Sequence, residues 1–83
     1  MLREQKIAFL MTRLDVAETH LDVARSLSRE EDRARRAAEA WKAYDSVVES
    51  AAPLGLEGRE LSVMMNRLRV LRRRLIETKR LWK

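Results

Sequence analysis

Apolar residues recur through the first third of the chain at alternating intervals of three and four, the repeat of one buried helix face. The positions that share this repeat are Ile7, Leu10, Leu14, Ala17, Leu21 and Ala24. Residues 28–33 then carry no apolar side chain, and Ser28 and Glu31 stand at the spacing of a capping box. The pattern predicts helix 1 over about 3–27 and a new helix from about 29. A single bent helix over both segments is the alternative, because no glycine or proline separates them.

The same repeat continues through two further segments. In the second segment the positions are Ala34, Ala37, Trp41, Tyr44, Val48 and Ala51, before Pro53 and Gly55 stop the helix. In the third segment they are Leu61, Met64, Leu68, Leu71, Leu75 and, after Thr78, Trp82. We therefore predict helix 2 over about 29–51 and helix 3 over about 57–81. Helices of similar length joined by short connections favour antiparallel neighbours, so the predicted fold is an all-α, antiparallel up-down-up three-helix bundle.

Length and composition fit one domain over residues 1–83, since 46% of the 83 residues are hydrophobic and 37% are charged. A domain of this size hides only about 60–65% of its surface on folding, so we expect the bundle to gain stability by self-association. The chain has no cysteine, which excludes disulfides and thiolate chemistry and is typical of a reducing compartment. With no apolar run long enough for a transmembrane segment, the expected location is cytoplasmic.

Helix 1 carries a second apolar stripe, formed by Phe9, Val16 and Val23 at intervals of seven residues. Together with the main seam it widens the apolar arc of the helix to roughly 200°, twice that of an ordinary surface helix. One interpretation is that helices 2 and 3 both lie against helix 1 and cover this stripe. The other is that Phe9, Val16 and Val23 form a hydrophobic face that binds a second copy or another helical protein. Val63 and Val70 lie off the main seam of helix 3 in the same way.

Positive charge is concentrated at the end of the chain. Residues 67–83 contain eight basic residues and one acidic residue, a net charge of +7, whereas the other 66 residues carry ten basic and twelve acidic groups, a net charge of −2. The candidate residues for binding an anion or an acidic partner are Arg69, Arg72, Arg73, Arg80 and Lys83. Nucleic acid, an acidic protein and an anionic lipid surface are the three ligands considered. The structural alternative is a solvated helix end that pairs with Glu30, Glu31 and Asp32 at the start of helix 2.

Groups that would converge on a catalytic centre are missing from the pattern. His20 is the single histidine and lies beside the seam of helix 1, and no serine stands in a nucleophile elbow. The carboxylates of Asp15, Glu18 and Asp22 share one side of helix 1 and suit at most a weak cation site, because the Glu-x-x-His pairs of di-metal bundles are missing. We expect no enzyme activity, no cofactor, no metal site and no small-molecule substrate.

The function predicted from these features is that of a non-enzymatic helical interaction or assembly module. Its expected partner is itself, as a homodimer, or another helical protein, with Phe9, Val16 and Val23 as anchors and the basic residues of helix 3 for steering. The alternative is a small basic nucleic-acid-binding or regulatory protein that uses the arginine-rich third helix. The two differ in salt dependence, because phosphate contacts weaken steeply as salt rises and apolar contacts do not.

Overall fold

The periodic segments form helices, and short breaks separate them. A computed structural model describes residues 2–81 and, among these, the side chains of residues 2–78. Helix α1 spans Arg3–Ser26, α2 spans Glu30–Ala51 and α3 spans Gly58–Leu81. The described residues contain no strand, so the all-α prediction is confirmed. Each helix bound lies within one residue of its predicted position.

The break between α1 and α2 is an extended turn held by one arginine. Leu27 and Arg29 have extended backbone, with ψ of 138° and 129°. The Arg33 guanidinium donates to the carbonyl oxygens of Leu27 and Ser28, at 3.1 and 2.9 Å. The alternative of one bent helix is therefore wrong. The predicted Ser28 cap is also wrong, because α2 begins with Arg29 at the N-cap position and no side chain caps it there.

The connection between α2 and α3 follows the rules for proline and glycine. Pro53 lies in a 3-10 turn, Ala52–Leu54, that extends α2. Gly55 then adopts the left-handed conformation with φ of 61°, which ends the turn. Gly58 begins α3 with φ of 55°.

The relative directions of the helices follow from contacts between side chains. Ion pairs join α1 to α3 with residue numbers that rise together, as in Arg3 with Glu60, Asp15 with Arg67, and Asp22 with Arg74. These two helices are therefore parallel. Helix α2 runs antiparallel to α1, because His20 contacts Arg36 near one end and Lys6 shares a groove with Ser50 near the other. The predicted up-down-up arrangement is confirmed.

The core consists of one cluster of buried residues from the three helices. Helix α1 contributes Leu10, Leu14, Ala17 and Leu21, α2 contributes Ala40, Ala43 and Val47, and α3 contributes Met64, Leu68, Leu71 and Leu75. The predicted seam of α1 is buried except for Ile7, which is half-buried. On α3 the prediction fails at Leu61, which is 43% exposed, and its last position, Trp82, lies outside the described residues.

The predicted seam of α2 is wrong by about one residue. The fully buried side chains are Ala40, Ala43 and Val47, whereas Ala34 and Val48 are exposed. The residues that α2 buries are small, and alanines let two helices approach closely. Trp41 and Tyr44 lie half-buried at the edge of the core, where their rings meet edge to face with centroids 5.8 Å apart.

Candidate interaction surfaces

The second apolar stripe of α1 lies on the outside of the bundle. Phe9 is 59% exposed and Val16 is 43% exposed, while Val23 is half-buried. Seven residues turn an α-helix by 700°, so these side chains share one face with a drift of only about 20° per repeat. Leu2 stands one repeat before Phe9 and is also exposed. The bundle therefore does not cover this face as one interpretation of the sequence supposed.

Uncharged polar residues fill the positions between these apolar side chains. Together they form what we call the α1 outer strip, with alternating intervals of four and three: Gln5, Phe9, Thr12, Val16, Thr19, Val23 and Ser26. None of the seven is charged, although 37% of the chain is. Sequence reasoning missed the four polar members because it followed apolar residues alone. The sequence signal that could have found them is their seven-residue interval, which is the same as that of Phe9, Val16 and Val23.

Each polar side chain of the α1 outer strip already bonds to its own helix. The hydroxyls donate to backbone carbonyl oxygens, Thr12 to Ala8 at 3.0 Å, Thr19 to Asp15 at 2.9 Å and Ser26 to Val23 at 2.8 Å. The side-chain oxygen of Gln5 accepts a hydrogen bond from the Leu2 backbone N–H at 3.3 Å. Covering such groups removes less hydration than covering free hydroxyls, because their hydrogen bonds persist.

Basic side chains line one edge of the α1 outer strip and carboxylates line the other. Arg13 and His20 lie on the edge next to α2, where the His20 ring nitrogen Nδ1 is 3.1 Å from a guanidinium nitrogen of Arg36. Asp15 and Asp22 lie on the edge next to α3, where they meet arginines of that helix. The strip is therefore a neutral band between a basic edge and an acidic edge.

Two arginines of α3 form ion pairs with α1. The Arg67 Nη2 atom is 2.7 Å from Asp15 Oδ1 and 3.4 Å from Glu18 Oε2, and Arg74 Nη2 is 2.6 Å from Asp22 Oδ1. Burial acts to lower the pKa of Arg67, but hydrogen bonding to Asp15 and attraction by Glu18 outweigh it and raise that pKa. The three carboxylates considered for a weak cation site are thus engaged by guanidinium groups.

Other arginines of α3 face solvent. Arg69, Arg72 and Arg73 are exposed, and over residues 2–78 no ion pair joins them to a carboxylate. They border a shallow depression together with Ile76 and Glu77. The side chain of Arg80 and the whole of Lys83 lie outside what the structure describes.

Over the described side chains of α3, which end at residue 78, the acidic start of α2 does not pair with basic residues as the structural alternative supposed; Lys79, Arg80 and Lys83 lie outside them. Glu31 meets Arg29 at 3.5 Å within its own turn. Within the described side chains, no ion pair links α3 to Glu30, Glu31 or Asp32, and the arginine partners lie on α1 instead. Asp15 and Asp22 on α1 and Arg67 and Arg74 on α3 share an interval of seven residues, so both ion pairs form in one register.

Exposed apolar residues on α3 have a different setting from those on α1. Val63 and Val70 are exposed off the main seam, as their spacing indicated, and Met65 and Ile76 are exposed on the other flank. On α3, arginines occupy three of the four positions that lie three or four residues from Val70, whereas on α1 the α1 outer strip itself is uncharged and charged residues stand only at its edges. Among the described helices, none combines the length and apolar character needed to cross a membrane.

Comparison with protein-family models, with curated proteins and with solved structures found no match to this chain.

Proposed function

We propose that this chain is a non-enzymatic assembly module that forms a homodimer through the α1 outer strip. The observation that carries the proposal is the exposure of Phe9 and Val16 on the outside of the bundle, at 59% and 43%. An exposed aromatic side chain and an exposed branched aliphatic side chain in one uncharged band are typical of a surface that contacts another protein. Val23 extends the same band to the end of α1.

A second copy is the partner that fits this band best. A seven-residue repeat on one helix packs against the same repeat on another, and a two-fold axis then brings one patch against itself. The bundle is also small, so burial of additional apolar surface adds a large fraction of its stability. The polar members of the strip bond within their own helix, which lowers the cost of covering them.

The test is the solution mass at low and high salt, measured by light scattering on protein freed of nucleic acid. We expect twice the 9.8 kDa chain mass under both conditions. Val16→Asp should give a monomer that keeps its helical circular dichroism, because a charge would be buried in the contact. Val48→Asp is the matched control, since Val48 is also 43% exposed but lies on α2, and it should remain dimeric.

Two results would contradict this proposal. One is a monomeric wild type at concentrations up to about a millimolar, the weak limit of specific association. The other is equal dissociation by Val16→Asp and Val48→Asp, which would place the contact elsewhere or show that any added charge acts nonspecifically.

A second candidate function, binding of nucleic acid, is favoured by the unpaired arginines of α3. Arg69, Arg72 and Arg73 are exposed in the part of the chain that the structure describes, while neighbouring Arg67 and Arg74 are engaged by α1. Guanidinium groups without internal partners are available for phosphate oxygens. Arg80 and Lys83 are the two further residues that the sequence assigns to this surface.

Binding of a short DNA duplex, followed by fluorescence anisotropy, tests this second candidate. Three phosphate contacts predict an affinity loss of about 40-fold between about 0.05 and 0.2 M salt. Arg72→Glu with Arg73→Glu should abolish binding. Arg25→Glu with Arg35→Glu changes the net charge equally at exposed sites outside α3 and should weaken binding far less. Equal loss in both double variants would indicate attraction by net charge alone.

A further inference from the structure

The charged edges of the α1 outer strip distinguish two ways in which two copies of α1 can pack. In a parallel symmetric pair, the edge next to α2 in one copy meets the edge next to α3 in the other. In an antiparallel symmetric pair, each edge meets its own counterpart. Because Arg13 and the imidazole of His20 lie on one edge and carboxylates lie on the other, the two arrangements differ in electrostatic energy.

Residues five positions apart meet across a parallel pair of this kind. That spacing brings Asp15 of one copy to His20 of the other, and two-fold symmetry makes this contact twice. The antiparallel arrangement centred on Val16 instead brings Asp15 against Asp15 and Arg13 against His20. The parallel arrangement joins the carboxylate of Asp15 to an imidazole that can donate to it, and the antiparallel one joins carboxylate to carboxylate.

The hydrogen bonding of His20 suits the parallel contact. Its Nδ1 lies 3.1 Å from Nη1 of Arg36, and a guanidinium only donates, so Nδ1 is the acceptor and the ring hydrogen of neutral His20 is on Nε2. That N–H is a donor for a carboxylate oxygen. Asp15 has a second oxygen for it, because Arg67 contacts Oδ1.

The uncharged polar residues of the α1 outer strip also fit a parallel pair in which each residue meets its own counterpart in the other copy. Thr12 and Thr19 would meet their own counterparts between the layers of Phe9, Val16 and Val23. Each of these hydroxyls bonds to the carbonyl four residues earlier, so a threonine layer needs no polar partner from the other copy. Small side chains there let the helix backbones approach.

We propose that two copies of this chain pack through their α1 helices parallel and in register, with His20 of each donating to Asp15 of the other. This inference rests on the proposed homodimer and specifies its geometry. It assigns Phe9, Val16 and Val23 each to a layer in which the residue meets its own counterpart.

Disulfide trapping tests the geometry directly, because the chain contains no cysteine. Phe9→Cys, Val16→Cys and Val23→Cys are oxidised one at a time in a glutathione buffer and analysed by mass. In the parallel arrangement each variant cross-links to itself. Val48→Cys, equally exposed on α2, is the control and should stay monomeric under denaturing conditions.

The outcomes separate this inference from the proposed function. Self-cross-linking of Val16→Cys alone, together with cross-linking of a mixture of Phe9→Cys and Val23→Cys, would mean an antiparallel dimer and overturn the geometry while the homodimer stands. A dimeric mass with no cross-link above the Val48→Cys level would also overturn it. A monomeric wild type would remove both proposals.

A charge substitution gives a second measurement that needs no cysteine. His20→Asp faces Asp15 of the other copy in the parallel arrangement and should raise the dimer dissociation constant about three- to tenfold. In the antiparallel arrangement the same substitution faces Arg13 and should lower that constant. Sedimentation equilibrium measures the sign, and a lowered constant would overturn the parallel geometry.

Discussion

The guanidinium of Arg67 lies 2.7 Å from the carboxylate of Asp15, and the same contact recurs seven residues later on both helices as Arg74 with Asp22. Equal spacing on two parallel helices means that both pairs form only in one register. Glu18 adds a third carboxylate to the set by approaching Arg67. These contacts fix how far α3 slides along α1.

Replacing Arg67 tests that role. Because its side chain is 24% exposed and touches two carboxylates, we expect Arg67→Met to lower the free energy of unfolding by about 1 kcal/mol. Arg69→Met, at an exposed position with no ion pair over residues 2–78, should change it by less than about 0.5 kcal/mol. Urea denaturation measures both, and equal values would show that the bridge contributes nothing.

The Arg3–Glu60 pair makes part of the stability depend on pH. Hydrogen bonding to Arg3 lowers the pKa of Glu60 below its ordinary value of 4.5. The depressed pKa contributes stability above the ordinary value, and this contribution is lost as the pH falls through the folded-state pKa.

Glu60→Gln isolates this contribution. The wild type should lose more unfolding free energy than Glu60→Gln when the pH falls from about 6 to about 3, since only the wild type protonates this carboxylate. Urea denaturation at both pH values gives the comparison. Equal losses of unfolding free energy in the two proteins would mean that Glu60 has the same affinity for protons in the folded and unfolded chains.

The close contact between α1 and α2 depends on small side chains. Ala40 is fully buried, so Ala40→Leu should push the helices apart and cost about 1–3 kcal/mol of unfolding free energy. Ala38→Leu adds the same atoms on the exposed side of α2 and should change the value by less than about 0.5 kcal/mol. A tolerated Ala40→Leu would show that the gap between these helices adapts freely.

The turn after α2 requires a residue that accepts positive φ. Gly55 has φ of 61° and open space where a Cβ would stand, so the cost of a side chain is confined to the backbone. We expect Gly55→Ala to destabilise the fold by about 1 kcal/mol and Gly55→Asn by less, because asparagine tolerates this conformation better. Thermal unfolding ranks the two, and an equal loss would point to a cause other than φ.

Much of the fold could be predicted from the sequence because the repeat of apolar residues carries it. The seams of α1 and α3 have leucines that stand out against charged neighbours, and their buried residues match the prediction apart from Ile7 and Leu61. The repeat did not identify which face of α2 is buried. Trp41 and Tyr44 dominate its pattern, yet a helix packed through alanines buries Ala40 and Ala43 and leaves the aromatic residues at the edge.

The candidate surfaces were harder to predict, because exposure depends on which side each neighbouring helix takes. The spacing of Phe9, Val16 and Val23 is visible in the sequence, but the sequence does not show whether two neighbouring helices cover these side chains or leave them exposed. Likewise, the sequence offered Glu30, Glu31 and Asp32 as one set of partners for the basic residues of helix 3, whereas Arg67 and Arg74 pair with carboxylates of α1. Internal hydrogen bonds such as that of Thr12 depend on side-chain rotamers and require coordinates.

The three helices do not hold one another equally. The backbone of α1 approaches that of α2 most closely, and a turn of three residues joins the two helices, while α3 lies farther from both, packs through larger side chains and is held to α1 partly by ion pairs. Opening of α3 therefore separates fewer closely approaching backbone segments than opening of the α1–α2 hairpin. Backbone amides of α3 should exchange with deuterium first, and the hairpin, whose contacts are local in sequence, forms the earliest folding unit.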